Sequence, residues 1–167
     1  MILKNLNKIF FINSLIVLSI FLFDRFSKLY VIYLDNKFFG SEIFSSKFLN
    51  ITLIWNEGIA FGLLNFGNQL IYNLISGLIA FVSLVILYLT FKYKHSTGYF
   101  FAMILGGSLG NLFDRIKFSK VPDFIDLHYN EFHWFIFNIA DIFITLGILC
   151  LIYDEVFLEK ERNEKRF

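Results

Sequence analysis

The sequence predicts an all-α integral membrane protein, a four-transmembrane-helix bundle with a small β-containing extracytoplasmic subdomain. Composition is the first observation, because 57% of the 167 residues are hydrophobic and 17% are charged. Soluble domains are about 45–50% apolar and about 25% charged. The second observation is a series of four apolar runs, each near the roughly 20 residues that a bilayer-crossing helix needs. A strand-like segment between the first two runs predicts the β-containing part.

The four apolar runs differ in the charges that they contain. The first holds an acid and two bases, the second has none, the third ends at an Asp-Arg pair, and the fourth has an acid near its start. We expect them to be membrane spans at 9–34, 70–91, 99–116 and 135–157. The chain would then be one membrane domain, 1–167, with outer loops at 35–69 and 117–134.

Basic residues predict the orientation of these spans. Eight lysines and arginines precede the first run, link the second to the third or follow the fourth, whereas four lie in the longer loops between. Positive charge accumulates on the cytoplasmic side of membrane proteins. We therefore expect a multi-pass protein with both termini cytoplasmic. No small-residue cleavage site precedes the charged patch in the first run, so we expect that run to be an uncleaved anchor.

Charge and cysteine content exclude several classes of function. The net charge of +1 and the lack of a basic aromatic patch argue against nucleic-acid binding. Cys150 is the single cysteine, which excludes an intrachain disulfide and a thiolate zinc site. Because it lies in an apolar run, we expect a buried, inert thiol.

The loop at 35–69 contains a strand-like segment. Residues 48–55 read FLNITLIW and are rich in β-branched and aromatic side chains, as strands are. Asn56, Glu57 and Gly58 follow with turn chemistry. We expect a strand-like or amphipathic piece at the outer interface, with its aromatic residues in the headgroup zone.

Polar residues inside the apolar runs need partners. Asp24 and Lys28 are four residues apart, so they share a helix face and can pair. The pair either neutralises itself for insertion or also contacts a partner in the bundle, and the sequence leaves both open. In the third run, Gly106 and Gly110 have the spacing that lets helices approach closely, with Gly107 between them. Asn111 must face inward, because an amide in lipid needs partners.

The acids at the borders of the apolar runs are candidate functional groups, because ionised carboxylates are costly there. Asp114 lies beside Arg115, and an acid next to a guanidinium suits a structural clamp better than a proton shuttle. Asp123 and Asp141 have no adjacent cation. Two desolvated carboxylates that share a proton can activate water, as in aspartic proteases. The alternatives are an exposed loop acid for Asp123 and a helix cap for Asp141.

Other mechanisms fit the sequence less well. His95, His128 and His133 form no metal-binding HExxH pattern. Ser27 and Lys28 are adjacent, and adjacent helix positions do not face one another as a Ser–Lys pair would require. A small transporter with its acids spread through the membrane, or a non-catalytic scaffold whose acids are replaceable, remain rival classes.

Five motifs in this order resemble those of a known family. They are DRFSK in the first run, NEGIAFGLL after the outer loop, GGSLGNLFDR at the end of the third run, VPDFIDL in the next loop and FNIADI opening the fourth run. Together they resemble bacterial lipoprotein signal peptidase, the type II signal peptidase that cleaves prolipoprotein signal peptides. The likeness covers nearly the whole chain.

The resemblance implies an intramembrane aspartic endopeptidase without metal or cofactor. Its substrate would be a diacylglyceryl-modified prolipoprotein, cut on the amino side of the lipidated cysteine. The motifs place the catalytic pair at Asp123 and Asp141. Substrate-binding or supporting positions would be Asn56, Gly58, Gly107, Asn111, Asp114, Arg115, Asn138, Ala140, Asp24 and Lys28.

The resemblance also implies partners and a location. The partners would be the prolipoprotein signal peptide and membrane lipid. No nucleic-acid partner is expected from the composition, and an active unit of one chain, a monomer, is the simplest interpretation. The protein would lie in the bacterial inner membrane with its active site near the outer leaflet. Pro122 departs from the pattern, because the family usually has an aliphatic residue with an amide hydrogen there, and proline removes that donor.

Overall fold

The computed structural model describes residues 2–58, 69–93 and 96–158. It shows a mostly helical chain with one antiparallel sheet. In chain order the elements are α1 (Ile2–Lys37), β1 (Phe44–Ser45), β2 (Leu49–Asn56), α2 (Gln69–Lys92), α3 (Ser96–Phe118), β3 (Val121–Tyr129), β4 (Phe132–Phe137) and α4 (Ile139–Tyr153), which continues into a π-helical turn (Asp154–Leu158). Three features of the sequence analysis lie outside the described residues: residues 59–64 of the NEGIAFGLL motif, His95 and the basic residues at 160–166.

Helix α3 is the centre of the bundle and packs against α1, α2 and α4. Its glycines make these contacts close. A Cβ on Gly106 would lie 2.9 Å from Ile20 Cβ of α1, and one on Gly107 would lie 2.5 Å from the Ala140 carbonyl oxygen of α4. The predicted packing role of these small residues is confirmed.

The outer faces of the helices are apolar. Leucine, valine and aromatic side chains are exposed along α1, α2 and α4, which is typical of helices that face lipid. By length and apolar composition, two described segments could cross a membrane, Lys8–Lys37 and Leu70–Lys92. Helix α3 is rich in glycine and buried polar residues, and α4 has 15 residues. Composition therefore supports two spans among the described helices, and the predicted count of four is not confirmed by this criterion.

The sheet has the strand order β1-β2-β3-β4, with every neighbour antiparallel. The strand predicted at 48–55 is confirmed as β2. The predicted outer loop at 117–134 contains more structure than expected, because β3 and the first half of β4 form a hairpin there. The β-containing part is thus a four-stranded sheet instead of a single strand-like piece.

The fourth apolar run does not begin as a helix at 135. Its first residues complete β4, and α4 begins at Ile139. The change occurs at Asn138, whose extended backbone and side-chain oxygen cap the helix, accepting a hydrogen bond from the Asp141 amide. A strong N-cap fixes where a helix starts, even inside a continuous apolar run.

Two smaller predictions can be compared with the fold. Pro122 lies in β3, opposite Trp55 of β2, in the part of β3 before Ile125, where pairing with β4 begins. At this position β3 is paired with β2 and not with β4, so the proline lies where the strand has one neighbour instead of two. Cys150 is free and half-buried in α4, so the expectation of a fully buried thiol was wrong.

Candidate active site

Asp123 is held at the start of β3 by neutral amides. Its side chain is buried, with the residue 3% exposed. The Asn56 side-chain amide donates to Oδ2 at 2.8 Å, and the Asn138 side-chain amide donates to Oδ1 at 2.6 Å. The alternative of an exposed loop acid is therefore wrong.

Burial gives Asp123 an unusual affinity for a proton. Desolvation is the main cause that raises the pKa of Asp123 to about 6, and the negative charge of Asp141 adds to it. The two amide hydrogen bonds and the charge of Lys28 act in the opposite direction. A carboxyl group with this pKa can hold or release a proton close to neutral pH.

Asp141 lies in the first turn of α4 and uses its two oxygens differently. Oδ2 accepts from the Asn138 main-chain amide at 3.1 Å, which completes a capping box. Oδ1 accepts from the Asn111 side-chain amide at 2.9 Å. The helix-cap alternative is thus correct for one oxygen, while the other is held by α3.

Asn138 brings the two acids together. Its side-chain amide donates to Asp123 and its main-chain amide donates to Asp141. One residue therefore contacts both carboxylates, although the acids come from different elements and are 18 positions apart in the chain. No lysine or arginine forms an ion pair with either acid among the residues that the structure describes.

Both carboxylates line one cavity of about 490 Å³. This volume is within the range of small-ligand sites. The polar lining comes from the residues around the acids, and the remainder is mostly aliphatic. The polar residues at this cavity are Asn56, Ser108, Asn111, Arg115, Asp123, Asn138, Asp141 and Thr145. The mixed lining suits an apolar chain that carries a few polar groups.

Arg115 adds hydrogen-bond donors to the cavity. Its Nη2 donates to the Gly58 carbonyl oxygen at 2.5 Å, and its guanidinium lies 5.4 Å from the centre of the Tyr72 ring. Its Nε and Nη1 are buried and have no hydrogen-bond partner among the described residues. Gly58 in turn donates its amide to the Asn56 side chain at 2.8 Å. Arg115 can therefore offer donors to a carbonyl oxygen of a bound ligand.

A cluster of charges, Asp24, Arg25, Lys28 and Asp114, lies between α1 and α3. The Asp114 carboxylate accepts from two nitrogens of Arg25 and from Lys28 Nζ at 2.8 Å. Lys28 Nζ also lies 3.0 Å from Asp24 Oδ2, which confirms the predicted pair. The guanidinium that clamps Asp114 belongs to Arg25 and not to the adjacent Arg115, which donates to the Gly58 carbonyl oxygen instead.

The charge cluster contacts the acid pair indirectly. Lys28 Nζ donates to Asn111 Oδ1 at 2.7 Å, and the other end of that amide donates to Asp141. Asp24 Oδ1 accepts from the Ala140 main-chain amide at 3.0 Å. Of the two alternatives for Asp24 and Lys28, the structure supports the pair that also contacts partners.

Two contributors were not predicted from the sequence. Arg25 was read only as part of the DRFSK motif, although its position next to Asp24 was a signal. Ser108 shares a hydrogen bond of 2.7 Å with Ser83 of α2, and nothing in its sequence context distinguished it from other small residues of α3.

Comparisons with known proteins agree with one another. The family model described as Signal peptidase (SPase) II matches residues 16–157. A lipoprotein signal peptidase of Pelagibacter ubique is 48% identical over 159 residues, covering 95% of this chain and 96% of its own. One of Anaplasma marginale is 38% identical, covering 87% and 84%.

Solved structures of membrane enzymes are also similar to this chain. Two structures described as a bacterial membrane enzyme share 29% and 28% identity with this chain, with TM-scores of 0.67 and 0.68. They cover 86% and 87% of this chain, and 89% and 92% of their own. The similarity to these membrane enzymes and to the signal peptidases extends over most of the chain, so the protein is a membrane protein. It belongs to the signal peptidase II family.

Proposed function

We propose that this protein is an intramembrane aspartic endopeptidase that removes the signal peptide from diacylglyceryl-modified prolipoproteins. It cuts on the amino side of the lipidated cysteine. Family membership and the names of the relatives support the class of substrate. The observation that carries the mechanism is the pair of buried acids, Asp123 and Asp141. Both accept hydrogen bonds from the neutral amide groups of Asn138, and both line one cavity.

The reaction uses the two carboxyl groups and one water molecule. One acid takes a proton from the water, which attacks the scissile carbonyl carbon, while the other donates a proton to the carbonyl oxygen. The same groups then protonate the leaving amine. The raised pKa of Asp123, about 6, suits a pair that shares one proton. No metal or cofactor takes part in this scheme.

The remaining predicted residues hold the substrate or support the acids. Arg115 donates to carbonyl oxygens of the substrate main chain, because two of its nitrogens are buried and uncommitted among the described residues. Asn56 and Asn111 each donate to one of the acids and keep its oxygens directed at the cavity. Asp24, Lys28 and Asp114 brace the bundle behind them.

The protein works in the bacterial inner membrane as a monomer. All four helices cross the bilayer, the termini are cytoplasmic, and the sheet lies at the outer leaflet, where water can reach the acids. The signal peptide enters sideways between the helices, because the cavity is lined by aliphatic residues of α2 and α4. Its diacylglyceryl group remains among the lipids.

A direct test is cleavage of a matched pair of precursors by the purified protein. We expect the lipidated prolipoprotein to be cut and the unlipidated form to remain intact. Asp123→Asn and Asp141→Asn should each lower the rate by at least about a thousandfold, since acid–base groups contribute about 10²–10⁴ each and these two act as a unit. Glu131→Gln, which changes an exposed acid in the turn between β3 and β4, should cleave at the wild-type rate.

The variants must be shown to be folded, by circular dichroism and by an unchanged elution volume in detergent. Folded Asp123→Asn or Asp141→Asn that cleaves at the wild-type rate would contradict the aspartic mechanism. Equal cleavage of the two precursors would contradict the requirement for the lipid. Those two results are separable, so the reaction and the substrate are tested independently. A scaffold or a transporter would cleave neither precursor.

A further inference from the structure

The hairpin of β3 and β4 carries three metal-ligating side chains that the proposed reaction does not use. They are Asp126, His128 and His133, and each offers one ligand atom within 4.8 Å of the other two. Asp126 contacts His133, whereas Asp123 contacts Asn56 and Asn138, so the two acids have different partners. His128 and Asp141 nevertheless line a common cavity of about 540 Å³.

Strand geometry explains why the three side chains meet. Asp126 and His128 are two positions apart on β3, so they lie on one face of the sheet. His133 of β4 is directly opposite His128, and the register shifts between Asp126 and His128. That irregularity lets His133 reach both neighbours. Its Nδ1 lies 2.9 Å from Asp126 Oδ2, and its ring stacks on that of His128 with centroids 5.1 Å apart.

We propose that Asp126, His128 and His133 form a binding site for a divalent transition-metal ion, with Zn²⁺ as the best fit. Two imidazoles and one carboxylate, with water in the fourth position, are a ligand set that zinc accepts. Ligand atoms at about 2.0–2.2 Å from a tetrahedral zinc are roughly 3.3–3.5 Å apart. The present separations of up to 4.8 Å therefore have to close by about 1.5 Å, which side-chain rotation on a hairpin can supply.

The three ligand side chains are buried to different extents, which gives an ion from water access to the site. The His133 side chain is 52% exposed, whereas that of Asp126 is 9% exposed. Solvent therefore reaches the site through His133, and the buried carboxylate supplies a charge with little hydration to lose. His128 Nδ1 is buried and has no hydrogen-bond partner among the described residues. A histidine can bind a metal through Nδ1 or Nε2, so an ion bound at Nδ1 would give this nitrogen the partner that the Asp126–His133 pair does not supply.

The bound ion would clamp the hairpin. Asp126 is three residues from Asp123 on β3, and β4 ends at Phe137, directly before Asn138. An ion that ties β3 to β4 therefore stiffens the two strands that lead to the acid pair. Its role is structural, and no step of peptide cleavage passes through it. The proposal consequently stands or falls independently of the proposed function.

The test is metal binding by the whole protein in detergent, purified through a tag without histidine and stripped with a chelator. Zn²⁺ is titrated calorimetrically, and Co²⁺ is followed by its visible absorption, which is intense for tetrahedral sites. We expect one ion per chain and a higher melting temperature with Zn²⁺. His128→Phe and His133→Phe should each weaken binding at least about tenfold, since even groups behind a ligand contribute that much.

His95→Phe is the matched control, because it removes an imidazole from the segment between α2 and α3. It should bind Zn²⁺ as the wild type does. Asp126→Asn keeps the shape of the side chain and removes its charge. Its Zn²⁺ affinity therefore tests the same site if either histidine variant fails to fold. Unchanged affinity in the folded variants, or no saturable binding by the wild type, would overturn the proposal.

Discussion

Two groups of buried acids in this protein differ in what surrounds them. Asp24 and Asp114 are fully buried and contact Arg25 and Lys28. Asp123 and Asp141 are nearly as buried, yet their direct partners are amide groups. The two groups of acids therefore do not differ in burial. They differ in whether their hydrogen-bond donors are charged or neutral. Asp24 and Asp114 are therefore paired with cations inside the bundle, whereas Asp123 and Asp141 have no ion pair with a lysine or arginine among the described residues.

The two groups are also connected, so that one positions the other. Lys28 holds the oxygen of the Asn111 amide, which leaves the nitrogen of that amide to donate to Asp141. Asp24 holds the main-chain amide of Ala140, one residue before Asp141. The charge cluster thus orients the first turn of α4. This connection predicts different consequences for acid-to-amide changes in the two groups.

The largest contrast should come from Asp114→Asn compared with Asp123→Asn. Asp114→Asn leaves Arg25 and Lys28 buried with one carboxylate fewer, and removal of one partner from a buried ion pair costs about 3–5 kcal/mol. We expect a greatly lowered melting temperature in detergent and little folded protein. Asp123→Asn should remain folded, because its partners are neutral. Equal stability of the two variants would contradict the division into cation-held and amide-held acids.

A smaller contrast should appear in the pH dependence of stability. The pKa of Asp123 is raised from 3.8 to about 6, so the folded protein binds more protons than the unfolded chain between those values. Stability of the wild type therefore falls as pH rises through this window, by on the order of 3 kcal/mol for a shift of this size. Asp123→Asn lacks this titration.

The measurement is the melting temperature of wild type and Asp123→Asn from pH 4 to pH 8 (roughly the span over which the group titrates). As pH rises, the melting temperature of Asp123→Asn should increase relative to that of the wild type. This difference in melting temperature should level off above about pH 6. Glu131→Gln serves as the control and should follow the wild type. A difference that is constant with pH would show that Asp123 has an ordinary pKa.

The smallest effects should come from three glycine-to-alanine changes. Gly107→Ala places a Cβ 2.5 Å from the Ala140 carbonyl oxygen, and Gly110→Ala places one 2.5 Å from Asp24 Oδ2. Each overpacks the bundle, at about 1–3 kcal/mol. Because α4 carries Asp141, Gly107→Ala should also slow cleavage. Gly110→Ala acts on the charge cluster and should chiefly lower the melting temperature.

Gly77→Ala is the matched control in α2, where a Cβ would meet nothing within 4 Å. Helix propensity should then leave its stability unchanged or raise it by up to about 1 kcal/mol. Cleavage rate and melting temperature of the three variants give the comparison. If Gly107→Ala behaves as Gly77→Ala does, the close approach of α3 and α4 does not matter to the acid pair.

The sequence predicted the parts of the fold that depend on local pattern. Strand β2 followed from its β-branched and aromatic run, and the Asp24–Lys28 pair followed from helix spacing. The start of α4 was missed, because hydropathy continues unbroken through β4 into the helix and a single cap, Asn138, makes the break. The partner of Asp114 was missed because Arg25 is 89 positions away, a contact that only the packing of α1 on α3 creates.

In the candidate site, too, the sequence predicted some features and missed others. Asp123 and Asp141 were predicted because acids beside apolar runs are costly, and the family motifs selected the same two residues. Neither argument revealed how they are held. The arrangement depends on Asn138, which donates to both acids and also accepts from the Asp141 main-chain amide. This is a property of three-dimensional placement and not of residue type.

Asn138 makes the integrity of a helix end inseparable from the geometry of the acids. Helix ends fray more readily than helix centres, and a frayed first turn of α4 would release the Asn138 amides from both carboxylates at once. Asp123 would then keep only Asn56, and Asp141 only Asn111, of the partners described above. Under the proposed mechanism, any condition that loosens this turn, such as a bilayer of unsuitable thickness or a displaced β4, would lower the cleavage rate while the rest of the bundle stayed intact.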